Sequence, residues 1–329
     1  LTPSLSIVIP IYSERENLPE LRRRLDSALD GVGDDFEIVF VDDRSKDDSF
    51  DILRRMAAED PRVKVVRLAR NFGHQLAITA GLHYASGRSV VIMDGDLQDP
   101  PEVIPDLLAK KSEGAWDVVY AVRRKRQGRL LIRALYHVYY RMLKRTSYID
   151  IPIDAGDFCV MDRRVVDWLN RMPERNRFVR GLRSWIGLRQ VGLEYDRAAR
   201  GAGSPKYTIR ALFKLALDGV FSFSYIPLRL STFLGLTLSL AGLIYAFYIV
   251  LGRIQGRFAT LGGWPTVVVS VLVLGGVQLV MLGIMGEYLG RIYEEIKGRP
   301  QYVVDETVGF VNAGDRAESA PPDADPAKQ

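Results

Sequence analysis

Ser89-Val90-Val91-Ile92-Met93-Asp94-Gly95-Asp96-Leu97-Gln98-Asp99 decides the fold of the polar part of this chain. The apolar run ending at Met93 reads as a buried strand, and three carboxylates follow it within six positions. Upstream, residues 63–68, 36–41 and 5–10 repeat the pattern of a short β-branched strand. Helical stretches separate them at 17–29, 49–58 and 75–85, the first with leucines at 18, 21, 25 and 29 on one face. Strand and helix alternating at such short intervals predict a parallel, right-handed α/β sheet whose ligand lies off the carboxyl ends of the strands.

Those ends can be read directly. The first strand leads into Pro10-Ile11-Tyr12-Ser13-Glu14, the second into Asp42-Asp43, the third into Ala69-Arg70-Asn71 and the fourth into Asp94-Gly95-Asp96. Carboxylates from the second and fourth ends, together with Glu14, are predicted to converge on one rim, where their mutual repulsion calls for a cation. One cysteine, Cys159, and three scattered histidines, His74, His83 and His137, supply neither a disulfide framework nor a zinc cluster. The ion that fits is a hard divalent one held by oxygen, Mg²⁺ or Mn²⁺. Asp94 and Asp96, two apart in an extended segment, can face one way, with Gly95 between them and Gln98 as a further oxygen. Taken alone, Asp-x-Asp is more often a solvated acidic turn; its place after a buried strand favours a metal site bridging a diphosphate. The glycine-rich phosphate loops of other nucleotide binders are missing from these turns.

The chain has 329 residues, 26% charged and 47% hydrophobic, with 45 basic against 40 acidic side chains. Its mean hydropathy of -0.01 describes an ordinary soluble protein only as an average. Residues 228–251 carry a single charge, Arg229, and residues 264–286 carry none. Each stretch is long enough to cross a bilayer, buried core helices being the other reading. The glycine-rich connection 252–263 makes them an antiparallel hairpin. Arg210, Lys214, Arg229, Arg291, Lys297 and Arg299 flank the hairpin, against Arg253 and Arg257 in its loop. The positive-inside tendency then places the N-terminal domain and both termini in the cytoplasm. No signal peptide is read at the start, since the apolar run from Leu5 stops at Pro10. Residues 207–225 read as an amphipathic helix at the membrane interface or, equally, one packed on the polar domain. The predicted organisation is an α/β domain over 1–205, an interfacial region over 206–227, spans at 228–251 and 264–286, and a C-terminal segment over 287–329. The Ala-, Pro- and Asp-rich tail from Ala313 is read as disordered. Gly275, Gly276, Gly283 and Gly286 offer a close-packing face for a homo-oligomer.

Five ordered segments resemble the inverting family 2 glycosyltransferases of the GT-A (Rossmann-like) type, and within them the polyprenyl-phosphate glycosyltransferases. They are Val8 to Asn17, Val41-Asp42-Asp43-Arg44-Ser45, Asp94 to Glu102, Asp154-Ala155-Gly156-Asp157-Phe158 and Met285 to Tyr293. The undecaprenyl-phosphate glucosyltransferases look most similar, with dolichyl-phosphate mannose synthases a step away. The resemblance implies a donor nucleotide pocket at Pro10, Tyr12, Glu14, Val41, Asp43 and Asp94, and a metal and diphosphate site at Asp94, Asp96 and Gln98. It implies phosphate contacts from Arg123, Arg200 and Lys206, the last two in a loop where Pro205 replaces the usual serine. Asp157 has the family position of the general base. A phosphate monoester is already largely deprotonated at neutral pH, so Asp157 can equally orient the acceptor.

The implied reaction is transfer of a hexose, preferably from UDP-glucose, to a membrane polyprenyl phosphate with inversion. GDP-mannose is the competing donor. A processive polysaccharide synthase would need more spans and a Gln-x-x-Arg-Trp motif, which Arg183-Ser184-Trp185 does not supply. A non-catalytic nucleotide-binding scaffold would keep the pocket without turnover. The basic run at Arg123-Arg124-Lys125-Arg126 and Arg129 is a solvated face or a surface for anionic lipid. Without interleaved aromatics it makes a poor nucleic-acid reader.

Overall fold

The computed structural model describes residues 3–31, 35–124, 155–175, 177–196, 226–255 and 263–310. Strands β1 (Leu5–Ile11), β2 (Phe36–Asp42), β3 (Val63–Leu68) and β4 (Ser89–Ile92) are parallel, with β1 paired to both β2 and β4. Every residue of β1 and β2 is buried, which is why both read as continuous apolar runs rather than as alternation. Helices α1 (Leu18–Leu29), α2 (Ser49–Glu59), α3 (His74–Tyr84) and α4 (Ile104–Gly114) fill the intervals. The four leucines of α1 all face the core, and truncating any one to alanine is worth about 2–5 kcal/mol. Helix α3 lies directly on the sheet: a Cβ on Gly81 would sit 2.2 Å from Val8 Cγ1. That close approach fixes the start of α3, and with it His74 and Gln75, at the carboxyl rim.

The second half of the sheet departs from the parallel expectation. Strand β6 (Ala155–Asp162) runs antiparallel to both β4 and β5 (Val118–Arg123), while β7 (Gln190–Tyr195) is parallel to β5. The amino end of β6 therefore meets the carboxyl ends of β4 and β5 at the same rim. Asp162 ends β6 and caps α5 (Arg163–Arg171) by accepting from the Arg164 N–H at 3.2 Å. A short helix α6 (Val179–Trp185) follows before β7.

Two long helices, α7 (Ile226–Ile254) and α8 (Trp264–Ile296), form a separate unit. Leu228–Ile249 and Val267–Ile296 within them have mean hydropathies of 1.8 and 2.5, and both are long and apolar enough to cross a membrane. Among the described residues, no atom beyond the chain neighbours and the helix's own backbone comes within 4 Å of where a Cβ would stand on Gly275, Gly276, Gly283 or Gly286.

The C-terminal segment adds a strand that the sequence reading of residues 287–329 did not assign. Strand β8 (Val304–Val308) pairs antiparallel with β3 and completes an eight-stranded sheet of order β7-β5-β6-β4-β1-β2-β3-β8. It is held by ion pairs from Arg44 to Asp305 and from Arg54 to Glu306, and by the Ala69 N–H donating to Val303 O at 2.8 Å. Residues 207–225 and the tail from Ala313 lie outside the described residues.

Candidate active site

The carboxyl rim is built of strained turns. Ser13, Arg44 and Leu97, just past β1, β2 and β4, all have positive φ, at 57°, 59° and 61°. Each costs about 1–2 kcal/mol for a residue with a side chain, and such strain collects at binding sites. Hydrogen bonds lock the first two turns together: the Ser13 N–H donates to Ser45 Oγ at 2.9 Å, and the Glu14 N–H to Ser49 Oγ at 3.0 Å. Tyr12 is 39% exposed on this edge, beside the buried backbone of Pro10 and Val41.

The carboxylates of the second strand end and Glu14 stand at this rim, each already with a partner inside the chain. Asp43 accepts from the Phe72 N–H at 2.7 Å and the Gly73 N–H at 2.9 Å, so it secures the turn before α3. Asp42 is fully buried beside Arg67, 3.4 Å away, and accepts from the Ser45 N–H. Glu14 accepts from Asn17 Nδ2 at 2.5 Å. Burial pushes the carboxyls of Asp42 and Asp43 above the usual range, against the pull of these hydrogen bonds. Among the described residues no three His, Cys, Asp or Glu side chains assemble as a ready metal cage.

The fourth strand end differs. Asp94 Oδ1 is buried and accepts no hydrogen bond. Burial, reinforced by the carboxylates of Asp99, Asp157 and Asp96 and eased by His74, pushes Asp94 up to about 7. Asp96 Oδ1 accepts from the Gln98 N–H at 3.1 Å, which curls the turn, and Gln98 is buried behind it. A carboxylate driven up by burial and by neighbouring carboxylates, with an orphaned oxygen, is what a cation site presents. Two carboxylates and no complete cage suit Mg²⁺ or Mn²⁺, which take one or two protein carboxylates and complete their shell with water and substrate phosphate oxygens.

Next to this pair lies a group that sequence reasoning missed. His74 Nε2 is 3.5 Å from both Asp94 Oδ1 and Asp157 Oδ2. Gln75 Nε2 donates to Asp157 Oδ2 at 3.0 Å while its Oε1 accepts from the Val179 N–H at 2.9 Å, tying β6 to α6. Arg180 Nη2 is 3.5 Å from Asp157 Oδ1. Burial alone would raise Asp157, but His74, Arg180 and Arg183 outweigh it and hold the carboxyl well below its usual range. Arg183 is only 1% exposed, with its guanidinium 5.3 Å from the centre of the Tyr120 ring. Arg123 hydrogen-bonds the Tyr195 hydroxyl, which donates to Asp99 Oδ1 at 2.7 Å. Arg200 and Lys206 lie outside the described residues. One signal for His74 and Gln75 was present in the sequence: both follow the third strand, whose carboxyl end shares the rim.

A parallel sheet extended by an antiparallel strand at the fourth strand's edge, with an aspartate pair at the junction, is the arrangement of a GT-A fold, and the relatives of the chain make it a glycosyltransferase. The chain belongs to glycosyl transferase family 2, whose model matches residues 6–169. It is 44% identical over 308 residues to the uncharacterized glycosyltransferase YkcC of Bacillus subtilis, spanning 93% of this chain and 95% of that one. It is 40% identical over 306 residues to the SfII prophage-derived bactoprenol glucosyl transferase of Shigella flexneri, spanning 92% and 98%. A solved mannosyltransferase from Pyrobaculum calidifontis, in complex with GDP-Man and Mn²⁺, aligns over 88% of both chains with 17% identity and a TM-score of 0.42.

Proposed function

We propose that this glycosyltransferase moves glucose from UDP-glucose to the phosphate of a membrane polyprenyl phosphate, with inversion at the anomeric carbon. The observation that carries the reading is the extent of the match to the bactoprenol glucosyl transferase. It spans 92% of this chain, so it takes in the two apolar helices as well as the sheet. A soluble transferase would have no use for that second unit. The domain before the hairpin and the segment after it lie on the cytoplasmic side, where the flanking basic residues hold them.

In this reading the nucleotide lies along the β2 and β1 ends, against Tyr12, Pro10, Val41, Glu14 and the turn that Asp43 secures. Asp94 and Asp96, with Gln98 behind them, would hold the divalent ion beside the donor diphosphate. When bound, the ion stabilises the negative charge that develops on the departing diphosphate. The bond from the anomeric carbon to that diphosphate breaks, UDP leaves with the electron pair, and an acceptor phosphate oxygen forms the new bond from the opposite face. A phosphate monoester is mostly dianionic at neutral pH, with a second pKa near ~6, so no proton has to be removed. Asp157, anchored by Gln75 and flanked by His74 and Arg180, orients the attacking group rather than acting as a base. Arg123, with Arg200 and Lys206, neutralises the incoming anion.

Purified full-length protein incubated with undecaprenyl phosphate and radiolabelled UDP-glucose or GDP-mannose, with Mn²⁺ or with EDTA, tests this. A single labelled glucosyl lipid formed only with metal is expected. A mannosyl lipid alone would overturn the donor assignment, a polymer would point to a processive synthase, and no product with either donor would end the proposal.

A further inference from the structure

Unsatisfied polar atoms are concentrated around Asp157. Among the described residues, thirteen buried side-chain nitrogen or oxygen atoms have no hydrogen-bond partner, and six of them belong to Asp94, Asp157, Arg123, Arg180 and Arg183. Five of the six lie on the β6, β5 and α6 side of the rim, and four of those are guanidinium nitrogens: Nε of Arg123 and Arg180, and Nε and Nη2 of Arg183. A buried guanidinium nitrogen without an acceptor costs about 1–3 kcal/mol, and more when charged. Four of them in one place form a device for holding an anion.

The pairing of Arg180 with Asp157 is open. Several arginines of this chain close firmly on carboxylates that serve structure, among them Arg22 on Asp26 at 2.8 Å and on Asp60 at 2.5 Å, and Arg24 on Glu102 through two nitrogens at 2.6 and 2.8 Å; Arg67 and Asp42 stand further apart, at 3.4 Å. Arg180 stops 3.5 Å from Asp157 Oδ1, and that oxygen accepts no hydrogen bond. Both partners keep capacity for a third group. Arg183, fully buried behind, adds positive charge that Asp157 alone does not balance.

The order of strands says which anion this is. Along the rim run the ends of β2, β1, β4, β6 and β5. The nucleotide and diphosphate of the proposed donor occupy the β2, β1 and β4 ends, as far as Asp94 and Asp96. The next position is the amino end of β6, where a Cβ on Gly156 would meet Arg123 Nη2 at 3.5 Å. A second anion arriving beyond the aspartate pair, on the far side from the nucleotide, therefore meets unspent donors.

We propose that Arg180 binds the phosphate of the acceptor directly, with Arg183 as the buried charge behind it and Asp157 as the residue that aims the Arg180 guanidinium. The assignment rests on the glucosyl transfer to a polyprenyl phosphate proposed above. It adds an arginine on α6 to the three basic contacts expected from the sequence.

The test is steady-state kinetics of full-length R180Q and R180K, varying undecaprenyl phosphate and UDP-glucose separately, with UDP affinity in Mn²⁺ as a fold check. Losing a charged hydrogen bond to phosphate should raise the acceptor KM of R180Q by about tenfold or more, with donor KM and UDP affinity within about twofold. R180K, which keeps the charge without the forked geometry, should fall between. An unchanged acceptor KM in R180K and R180Q, or a rise confined to or shared equally by the donor, overturns the assignment while wild-type turnover upholds the reaction. A wild-type protein that forms no glucosyl lipid overturns both.

Discussion

The two ends of one sheet treat buried carboxylates in opposite ways. At the amino end, Glu37 on β2 is 2% exposed and accepts from Ser6 Oγ at 2.5 Å, the Ser86 N–H at 2.6 Å, Ser86 Oγ at 2.8 Å and Lys64 Nζ. Its burial would raise the carboxyl, yet Lys64, Ser6 and Ser86 bring it below the usual range. Gly87 closes the network by donating to Ser6 Oγ at 2.7 Å, in a place where any Cβ would lie 2.5 Å from the Ser6 backbone nitrogen. At the carboxyl end Asp94 is surrounded by other carboxylates, keeps an oxygen without a hydrogen bond and is pushed up to about 7. A carboxylate whose partners are all in the chain is structural; one whose partners are missing from the chain is waiting for a ligand. The comparison also explains why Asp42 and Asp43, acidic and at the rim, are not part of the proposed metal site: both oxygens of Asp43 accept from Phe72 and Gly73, while Asp42 accepts from Ser45 with one oxygen and faces Arg67, a cation of the chain itself, with the other.

This contrast can be broken at either end. The largest effect is expected from Asp96→Asn, which should lower glucosyl transfer by about 10²–10³ at saturating metal, while the thermal midpoint stays the same or rises as repulsion is relieved. A variant that transfers normally would remove the rim from the mechanism. Glu37→Gln should instead lower the free energy of unfolding by about 2–4 kcal/mol in urea titrations, since Lys64 loses its buried partner, and leave turnover per folded molecule intact.

The acid dependence of that loss is also set by the Glu37 environment. A carboxyl held below its ordinary value contributes stability that is fully present above the unfolded value of 4.5 and disappears as pH falls through the lower folded value. The stability gap between wild type and Glu37→Gln should therefore be flat from about pH 8 to 5 and shrink below about pH 4.5. A gap that widens in acid would contradict the assignment. The smallest effect belongs to the sheet edge: Arg54→Gln, which removes an exposed ion pair to β8, should cost no more than about 1 kcal/mol in the same titration.

Much of the first half of the sheet was legible because a strand buried on both faces, such as Ile7-Val8-Ile9, leaves an unbroken apolar signature between helices of clear periodicity. The direction of β6 was not, since nothing in Gly156-Asp157-Phe158-Cys159 distinguishes a parallel from an antiparallel neighbour; the partner strands decide it. Strand β8 escaped for a related reason. Val304-Asp305-Glu306-Thr307-Val308 is short and acidic, and becomes a strand through Arg44 and Arg54, some 250 residues earlier. At the site, Asp94 and Asp96 were readable because the end of their own strand places them. Gln75 and Arg180 meet Asp157 only through the packing of α3 and α6 beside β6, a tertiary fact with no local pattern, and His74 looked like one of three scattered histidines.

The central claim is that the aspartate pair past β4 holds a divalent ion jointly with the donor's diphosphate. Electron paramagnetic resonance of Mn²⁺ titrated into the full-length protein, with and without UDP, measures this without turnover. The account predicts tight Mn²⁺ binding that requires UDP, is lost in Asp96→Asn and is kept in Glu37→Gln. Equal UDP-dependent Mn²⁺ binding by wild type and Asp96→Asn would contradict it.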